Sequence, residues 1–120
     1  KHPRLQTLCE FDAVLPGPLT FTRGLIESRF AAAGLHLPVA LSTNYLETLK
    51  MMTAIGLGWS LLPAHLVAGE LHELDVDHPP IQRPLGYLVH RSRTLSNPAR
   101  AMLAQLDAAR EPAAREWRRG

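Results

Sequence analysis

The sequence predicts an α/β domain, built on an open, mostly parallel sheet flanked by helices. Short apolar runs alternate with longer segments in which apolar residues recur at helical spacing. Glycine or proline marks most boundaries between these segments, as expected at turns and helix ends. Because strands that are joined through helices lie parallel in one sheet, we expect a single sheet with helices against its faces.

The first β-α unit begins with an apolar run at residues 13–15, which predicts a buried strand. The Pro-Gly-Pro sequence at residues 16–18 predicts a tight turn after it. Apolar residues then recur at helical spacing across residues 19–33, and Gly34 predicts the end of this helix. Arg23, Glu27 and Ser28 occupy much of the rest of this helix.

The second unit repeats this order. Residues 38–41 predict a strand, and Asn44 with Glu47 three positions later has the pattern of a capping box. We expect a helix that starts at Asn44 and ends at Gly56, followed by an apolar strand at residues 59–62. The first half of the chain is therefore predicted to have the order β-α-β-α-β.

Weaker patterns follow in the second half of the chain. In order, they predict a short helix at residues 64–68, a half-exposed strand at 74–76, a buried strand at 85–89 and a helix at 97–109. Asn97 is expected to cap the last helix, with Pro98 at its first position. The charged tail at residues 110–120 is expected to fray or be disordered.

Composition restricts the possible classes of protein. With 120 residues, 46% hydrophobic and 20% charged, the chain fits one globular domain. No apolar run approaches the ~18 residues that would span a bilayer, so no membrane partner is expected. The single cysteine, Cys9, cannot form an internal disulfide, which agrees with a cytoplasmic location. The net charge of +2 reflects arginines in the tail, so direct nucleic-acid binding by this segment is not predicted.

Both predicted strand-to-helix junctions, residues 16–21 and 42–45, carry groups suited to a ligand. In an open parallel sheet, ligands bind beyond the carboxyl ends of the strands, where helix N-termini present free N–H groups. This chemistry favours a small organic anion such as a carboxylate, although the same residue types are common helix caps. The polar candidates are Thr20, Thr22, Ser42, Thr43 and Asn44, and the apolar candidates are Leu19, Phe21 and Tyr45.

Other motifs do not meet the requirements of the chemistry that they suggest. Residues 56–58 lack the third glycine of a dinucleotide-binding loop, and residues 58–60 lack the second glycine of a nucleophile elbow. The histidines and acidic residues at 65–78 show no established metal-ligand spacing. We therefore predict no catalytic residue, no metal and no cofactor.

Three stretches of the sequence resemble the effector-binding region of LysR-type transcriptional regulators. The first stretch resembles the family's sequence of a helix, a Gly-x-Gly motif and a strand that ends in proline. The second stretch resembles the family's late strand, and the third resembles its terminal helix. The order and spacing agree over residues 5–106. The stretches lie at residues 44–50 with 56–58 and 61–63, at 84–86 with 90–91, and at 93–96 with 99–103.

This resemblance implies one lobe of a type 2 periplasmic-binding-protein-like module, in which an effector lies between two lobes joined by crossover strands. The chain is expected to be mainly the second lobe, residues 1–109, with the helix at 97–109 returning to the first lobe. It lacks an initiator methionine and is expected to be part of a longer protein. That full-length protein is expected to be a homo-tetramer that binds DNA only through an N-terminal helix-turn-helix absent from this chain.

The family's second-lobe effector contacts fall on the two junctions when they are transferred position by position. The Pro-Gly-Pro turn is stiffer than the commoner Ser- or Thr-bearing turn of the family, which leaves open how many hydroxyls meet the ligand. The expected effector-binding residues are Gly17, Pro18, Leu19, Thr20, Phe21, Thr43, Asn44 and Tyr45.

Two alternatives stay open from the sequence. A lobe of a transporter solute-binding protein shares the architecture, and a secretory signal upstream of Lys1 would favour it. An enzyme lobe of related fold, such as a dehydratase or deaminase, would need a general acid or base that faces the cleft. His36 is the candidate near the predicted sheet edge, and it is expected to lie in a surface turn.

Overall fold

The computed structural model describes residues 3–110 of the chain. Contacts divide the chain into a first unit that ends at Arg83 and a second unit that begins at Pro84. Among the described residues, the first unit contains the sheet and three α-helices, and the second contains one long helix. Over the same residues, no helix has both the length and the hydropathy needed to cross a bilayer.

The sheet of the first unit consists of β1 (Ala13–Leu15) and β2 (Val39–Ser42), which run parallel. The helix α2 (Phe21–Ala32) connects them, so the predicted β-α-β order is confirmed. The pairing extends one residue past β2, where the Thr43 N–H donates to the Leu15 carbonyl at 3.1 Å. Because both strands point the same way, their carboxyl ends lie at one edge of the sheet.

The hydrophobic core of the first unit includes α1 (Leu5–Leu8), a short helix that the sequence did not predict. Trp59 connects this helix to the core. Its indole ring stacks on Phe30 with ring centroids 5.9 Å apart, and its Nε1 donates to the carbonyls of Leu8 at 3.0 Å and Phe11 at 3.2 Å. The buried residues of this cluster are Leu8, Ala13, Leu15, Ile26 and Phe30.

The helix α3 (Leu46–Ala54) begins two residues later than its predicted start at Asn44. Its N-cap is Tyr45, and no side chain caps it, so the predicted capping box of Asn44 and Glu47 is wrong. The physical reason is that the other junction engages the Asn44 side chain. Its Oδ1 accepts the backbone N–H of Gly17 at 2.9 Å.

Glycine ends both helices of the first unit's α/β part as predicted. Gly34 and Gly56 have φ of +67° and +84°, a region that glycine enters without the steric cost of a Cβ. Farther along, a single turn of 3-10 helix at Ala64–Leu66 replaces the longer helix predicted at 64–68.

The strand predicted at residues 59–62 is wrong beyond its first residue. Trp59 forms an isolated parallel bridge with Ala13, in which the Val14 N–H donates to the Trp59 carbonyl at 2.9 Å. The next backbone N–H on this side would belong to the residue two positions after Val14, which is Pro16, just past the end of β1. Proline has no N–H to donate, so the ladder stops after one bridge.

The half-exposed strand predicted at 74–76 is also wrong. Val76 donates its N–H to the Leu74 carbonyl, two residues back, at 3.0 Å, which is the hydrogen bond of a tight turn. Asp77 donates its N–H to the Pro3 carbonyl at 3.0 Å. These bonds engage the backbone groups that a neighbouring strand would need.

The second unit contains α4 (Asn97–Ala108) and no strand among its described residues, so the strand predicted at 85–89 is wrong. Leu85 and Leu88 are 86% and 100% exposed. A lone segment has no partner for its backbone N–H and carbonyl groups. An apolar run is therefore not sufficient to form a strand here.

Local hydrogen bonds define the rest of the second unit. Ser96, rather than the predicted Asn97, is the N-cap of α4. The Tyr87 hydroxyl donates to Oδ1 of Asp107 at 3.0 Å. This hydrogen bond, together with the negative charge of the carboxylate, raises the pKa of Tyr87 above its ordinary value of 10.0. Residues 111–120, which make up most of the predicted tail, lie outside the described residues.

Candidate functional site

The structure brings the two predicted junctions together at one edge of the sheet. The backbone N–H of Gly17 donates to Oδ1 of Asn44 at 2.9 Å, across 27 residues of sequence. A Cβ at position 17 would lie 2.8 Å from the same oxygen, so the two junctions approach this closely because residue 17 is glycine. The Gly17–Asn44 hydrogen bond is exposed to solvent.

Thr20 links the Gly17 turn to the start of α2. Its hydroxyl donates to the Gly17 carbonyl at 2.8 Å and accepts the N–H of Arg23 at 3.3 Å. The second contact is an N-cap. This hydroxyl therefore has a structural role, as the alternative interpretation of the junction residues held.

Apolar side chains at the junctions project into solvent and do not form a closed wall. Leu19, Tyr45 and Phe21 are 101%, 77% and 62% exposed, and we call these three residues the apolar rim. Pro18 is also exposed, and Thr43 is half-buried. The Thr43 hydroxyl accepts the N–H of Tyr45 at 3.4 Å. Gly17 thus contacts both Thr20 and Asn44, while the apolar candidates remain open to solvent.

Arg23 lies outside the apolar positions of α2, yet it is buried with 9% exposure. Its Nη1 donates to the Pro16 carbonyl at 3.1 Å and to Oγ of Ser42 at 3.2 Å. Its Nε donates to Oε1 of Glu27 at 2.7 Å, and that carboxylate partly neutralises the guanidinium. The carbonyl of Pro16 follows a buried strand and needs a donor from elsewhere. The sequence signal for this contact is a proline that ends a buried strand, followed within two helical turns by an arginine that can donate to the proline carbonyl.

The amino end of α2 is electropositive. The N–H groups of Phe21 and Thr22 lie in the first turn and have no acceptor within the helix, and no acidic residue lies in that turn. Arg83 adds a guanidinium, whose Nη1 donates to Oγ1 of Thr22 at 3.3 Å. The start of α3 differs because Glu47 lies in its first turn. An anion is therefore favoured at the α2 end.

A shallow cavity of about 240 Å³ lies elsewhere, beside α3. None of the eight predicted effector-binding residues lines it. Most of its lining side chains are exposed, so it lacks the fixed polar groups that orient a small ligand. The lining residues are Glu47, Lys50, Met51, Ala54, Ile55 and Glu70.

His36, the candidate for an enzyme, is exposed beside the turn at Gly34. Residues 3–110 contain no group of three or more histidine, cysteine, aspartate or glutamate side chains placed to hold a metal ion. The sheet edge offers hydrogen-bond donors and apolar surface, which suit binding.

Residues 1–111 of the chain match the family model described as LysR substrate binding domain. No curated protein matches the chain. Domains of the matched family bind effectors and belong to regulators of transcription. Because the match spans residues 1–111 of 120, the protein belongs to the LysR substrate-binding domain family.

Proposed function

We propose that the chain is mainly the second lobe of the effector-binding domain of a LysR-type DNA-binding transcriptional regulator, and that it senses a small organic anion. The observation that carries this proposal is the hydrogen bond between the Gly17 N–H and Asn44 Oδ1 at 2.9 Å. It joins the two strand-to-helix junctions at the edge where an open parallel sheet binds its ligands. The family match supplies the sensing role.

In this proposal, hydrogen-bond donors and apolar side chains contact different parts of the effector. The side-chain nitrogen of Asn44 and the free N–H groups of α2 donate to the charged end of the effector. The apolar rim lies against the carbon skeleton of the effector, which removes exposed apolar surface from water. The proposed contacts are Gly17, Pro18, Leu19, Thr20, Phe21, Thr43, Asn44 and Tyr45.

A carboxylate is the charged group that the electrostatics favour. The first turn of α2 has no acidic residue, and Arg83 lies 3.3 Å from the hydroxyl of Thr22 in that turn. Glu47 disfavours an anion at the start of α3. We therefore propose that the carboxylate binds nearer to α2, with the uncharged part of the effector toward α3.

The proposed mechanism is a shift between conformations, with no covalent step and no cofactor. An effector that contacts both lobes favours one hinge geometry through its differential affinity for the two states. The full-length regulator is proposed to be a cytoplasmic homo-tetramer that binds DNA through an N-terminal helix-turn-helix. The shift in hinge geometry then changes the placement of its DNA-binding parts.

The second unit supports the proposed assignment of residues 97–109 to the first lobe of a type 2 periplasmic-binding-protein-like module. Leu85, Leu88 and Met102 expose large apolar side chains. No residue of α4 is buried, and a helix with an apolar stripe gains stability when that stripe is covered. We propose that the first lobe covers it in the whole protein.

The family match favours the regulator over the two alternatives. A lobe of a transporter solute-binding protein shares the α/β architecture but belongs to another family. An enzyme lobe requires an acid or base that faces the cleft, and His36, the candidate from the sequence, is exposed beside the turn at Gly34.

The proposed site is tested by Thr20→Ala and Asn44→Ala in the intact regulator. Each is expected to weaken the effector response by about tenfold, because Asn44→Ala removes a donor to the charged group and Thr20→Ala removes the bond that holds the Gly17 turn. Dose-response curves of reporter expression measure the effect, and basal DNA binding is expected to stay unchanged. Ser28→Ala is the matched control, since it removes an α2 hydroxyl that bonds to the Gly24 carbonyl. Unchanged curves for both junction variants would contradict the site.

The effector itself is sought with thermal-shift measurements on the complete sensing module. A panel of small mono- and dicarboxylates is compared with amines and neutral amides of the same size. A ligand that binds only the folded form raises the melting temperature. Stabilisation by amines and not by any carboxylate would contradict an anionic effector.

A further inference from the structure

We infer that Arg23 is a positioning residue of the effector site, which holds the two junctions at a fixed spacing without touching the ligand. The inference rests on the proposed function, which is the reason that the spacing of the junctions matters. Arg23 Nη1 donates both to the Pro16 carbonyl at 3.1 Å and to Oγ of Ser42 at 3.2 Å. Pro16 directly precedes Gly17, and Ser42 lies two residues before Asn44. One nitrogen atom therefore connects the two halves of the site.

The orientation of this guanidinium is fixed. Its Nε donates to Glu27 Oε1 at 2.7 Å, one helical turn along α2, and the side chain is 10% exposed. A planar group that is bonded through Nε and Nη1 has one arrangement that satisfies every contact. Lysine at this position would keep the charge but lose the planar group.

Burial of hydrophobic surface does not by itself explain an arginine at this position. Ile26 and Phe30 on the same helix already supply core contacts. An apolar side chain would fill the space without the cost of removing a guanidinium from water. What the arginine adds is a bond to each junction.

The junctions need such a bond because the backbone hydrogen bonds between β1 and β2 end before residues 17 and 44 are reached. The last backbone bond between the strands is Thr43 N–H to the Leu15 carbonyl at 3.1 Å. Beyond it, the exposed Gly17–Asn44 bond joins the junctions, and exposed hydrogen bonds open readily. Arg23 supplies a second connection between the two junctions, through Pro16 and Ser42.

The test is amide hydrogen exchange at Gly17, measured by NMR in the whole chain without ligand. Arg23→Met removes both bonds to the junctions and is expected to speed exchange at Gly17 by about two- to tenfold. Exchange at the fully buried Leu49 is expected to stay the same, which separates a local change from lost stability. Arg23→Lys is expected to restore part of the protection. Arg29→Met is the matched control, because it removes a cation from the last turn of the same helix.

Ser42→Ala provides a second variant if Arg23→Met does not fold. It leaves Arg23 in place but removes its acceptor on the second junction, so Gly17 exchange is expected to rise in the same direction. Unchanged Gly17 exchange in folded Arg23→Met, or in Ser42→Ala where the first variant does not fold, would overturn the inference. So would an increase that is matched at Leu49.

Titration with acetate distinguishes this inference from the proposed function. Acetate is expected to shift the amide resonances of Phe21 and Thr22 in the wild-type chain and to bind about tenfold more weakly in Arg23→Met. Absence of any shift in the wild-type chain would count against the anion site and leave the exchange result standing. Equal acetate affinity in both proteins would overturn the positioning role.

Discussion

The region from β1 to α3 and the segment that follows Pro84 both contain apolar runs, but only the first region buries them. Val14 and Leu15 are fully buried in β1, whereas Leu85 and Leu88 are almost fully exposed. Hydropathy alone predicts a strand in both places. The difference shows that an apolar run becomes a strand where a second strand accepts its backbone hydrogen bonds.

The two regions also differ in the reach of their side-chain hydrogen bonds. In the first unit, Trp59 bonds to a carbonyl 51 residues away and Asn44 to an amide 27 residues away. In the second unit, the Tyr87–Asp107 bond spans 20 residues, and the bonds of Arg100 span 5. Tertiary contacts therefore hold the first region, and mostly local contacts hold the second.

Truncation of a leucine in each region is expected to give the largest contrast. Leu15→Ala removes a fully buried side chain from β1 and is expected to lower the free energy of unfolding by about 2–5 kcal/mol. Leu88→Ala removes a fully exposed side chain and is expected to change it by less than about 0.5 kcal/mol. Urea denaturation followed by circular dichroism measures both. Equal losses would mean that Leu88 is covered.

Addition of one methyl group provides a second contrast. A Cβ at Gly58 would collide with the Asp12 carbonyl, which accepts the Trp59 N–H at 3.0 Å. Gly58→Ala is expected to cost about 1–3 kcal/mol through overpacking. Gly86→Ala meets no atom within 4 Å and is expected to be close to neutral. Urea denaturation again measures both variants. A neutral Gly58→Ala would show that the bridge between Ala13 and Trp59 tolerates displacement.

Removal of a helix cap in each region tests how far each helix depends on tertiary packing. Thr20→Ala removes the cap of α2, a helix with core residues, and is expected to lower global stability by about 0.5–2 kcal/mol. Ser96→Ala removes the cap of α4, which has no buried residue. It is expected to reduce α4 helicity, seen in NMR carbon shifts, without moving the global midpoint. A lowered midpoint for Ser96→Ala would contradict the local character of the second region.

The smallest effect is a pH dependence in the second unit. The hydrogen bond to Asp107 raises the pKa of Tyr87 above 10.0, so the bond is present below pH 10.0 and is lost as pH rises through the raised pKa. Asp107→Ala is expected to lower the titration midpoint of the Tyr87 ring, followed by NMR. Arg110→Ala is expected to raise it, because the charge of Arg110 opposes the shift. A midpoint that stays the same in Asp107→Ala would rule out the bond.

Local sequence rules predicted the parts of the fold that depend on near neighbours. They predicted β1, most of β2 and α2, and the helix ends at Gly34 and Gly56. They did not predict the late start of α3, because the partner of the Asn44 side chain lies 27 residues away.

The candidate site shows the same limit. Both junctions were predicted from strand and helix patterns, and their approach at Gly17 and Asn44 follows from parallel pairing. The burial of Arg23 was not predicted, because helical spacing takes no account of acceptors 7 and 19 residues away. Ligand contact by the eight predicted residues stays a prediction that the proposed variants test.

Pro16 limits the width of the sheet. Since proline has no N–H to donate, the parallel bridge between Ala13 and Trp59 is not continued toward residue 61. Its carbonyl is directed to a cation instead. Pro16 therefore ends the pairing on one side of β1 and leaves its carbonyl to Arg23. Pro16→Ala would supply the missing N–H and allow the pairing with the segment after Trp59 to lengthen.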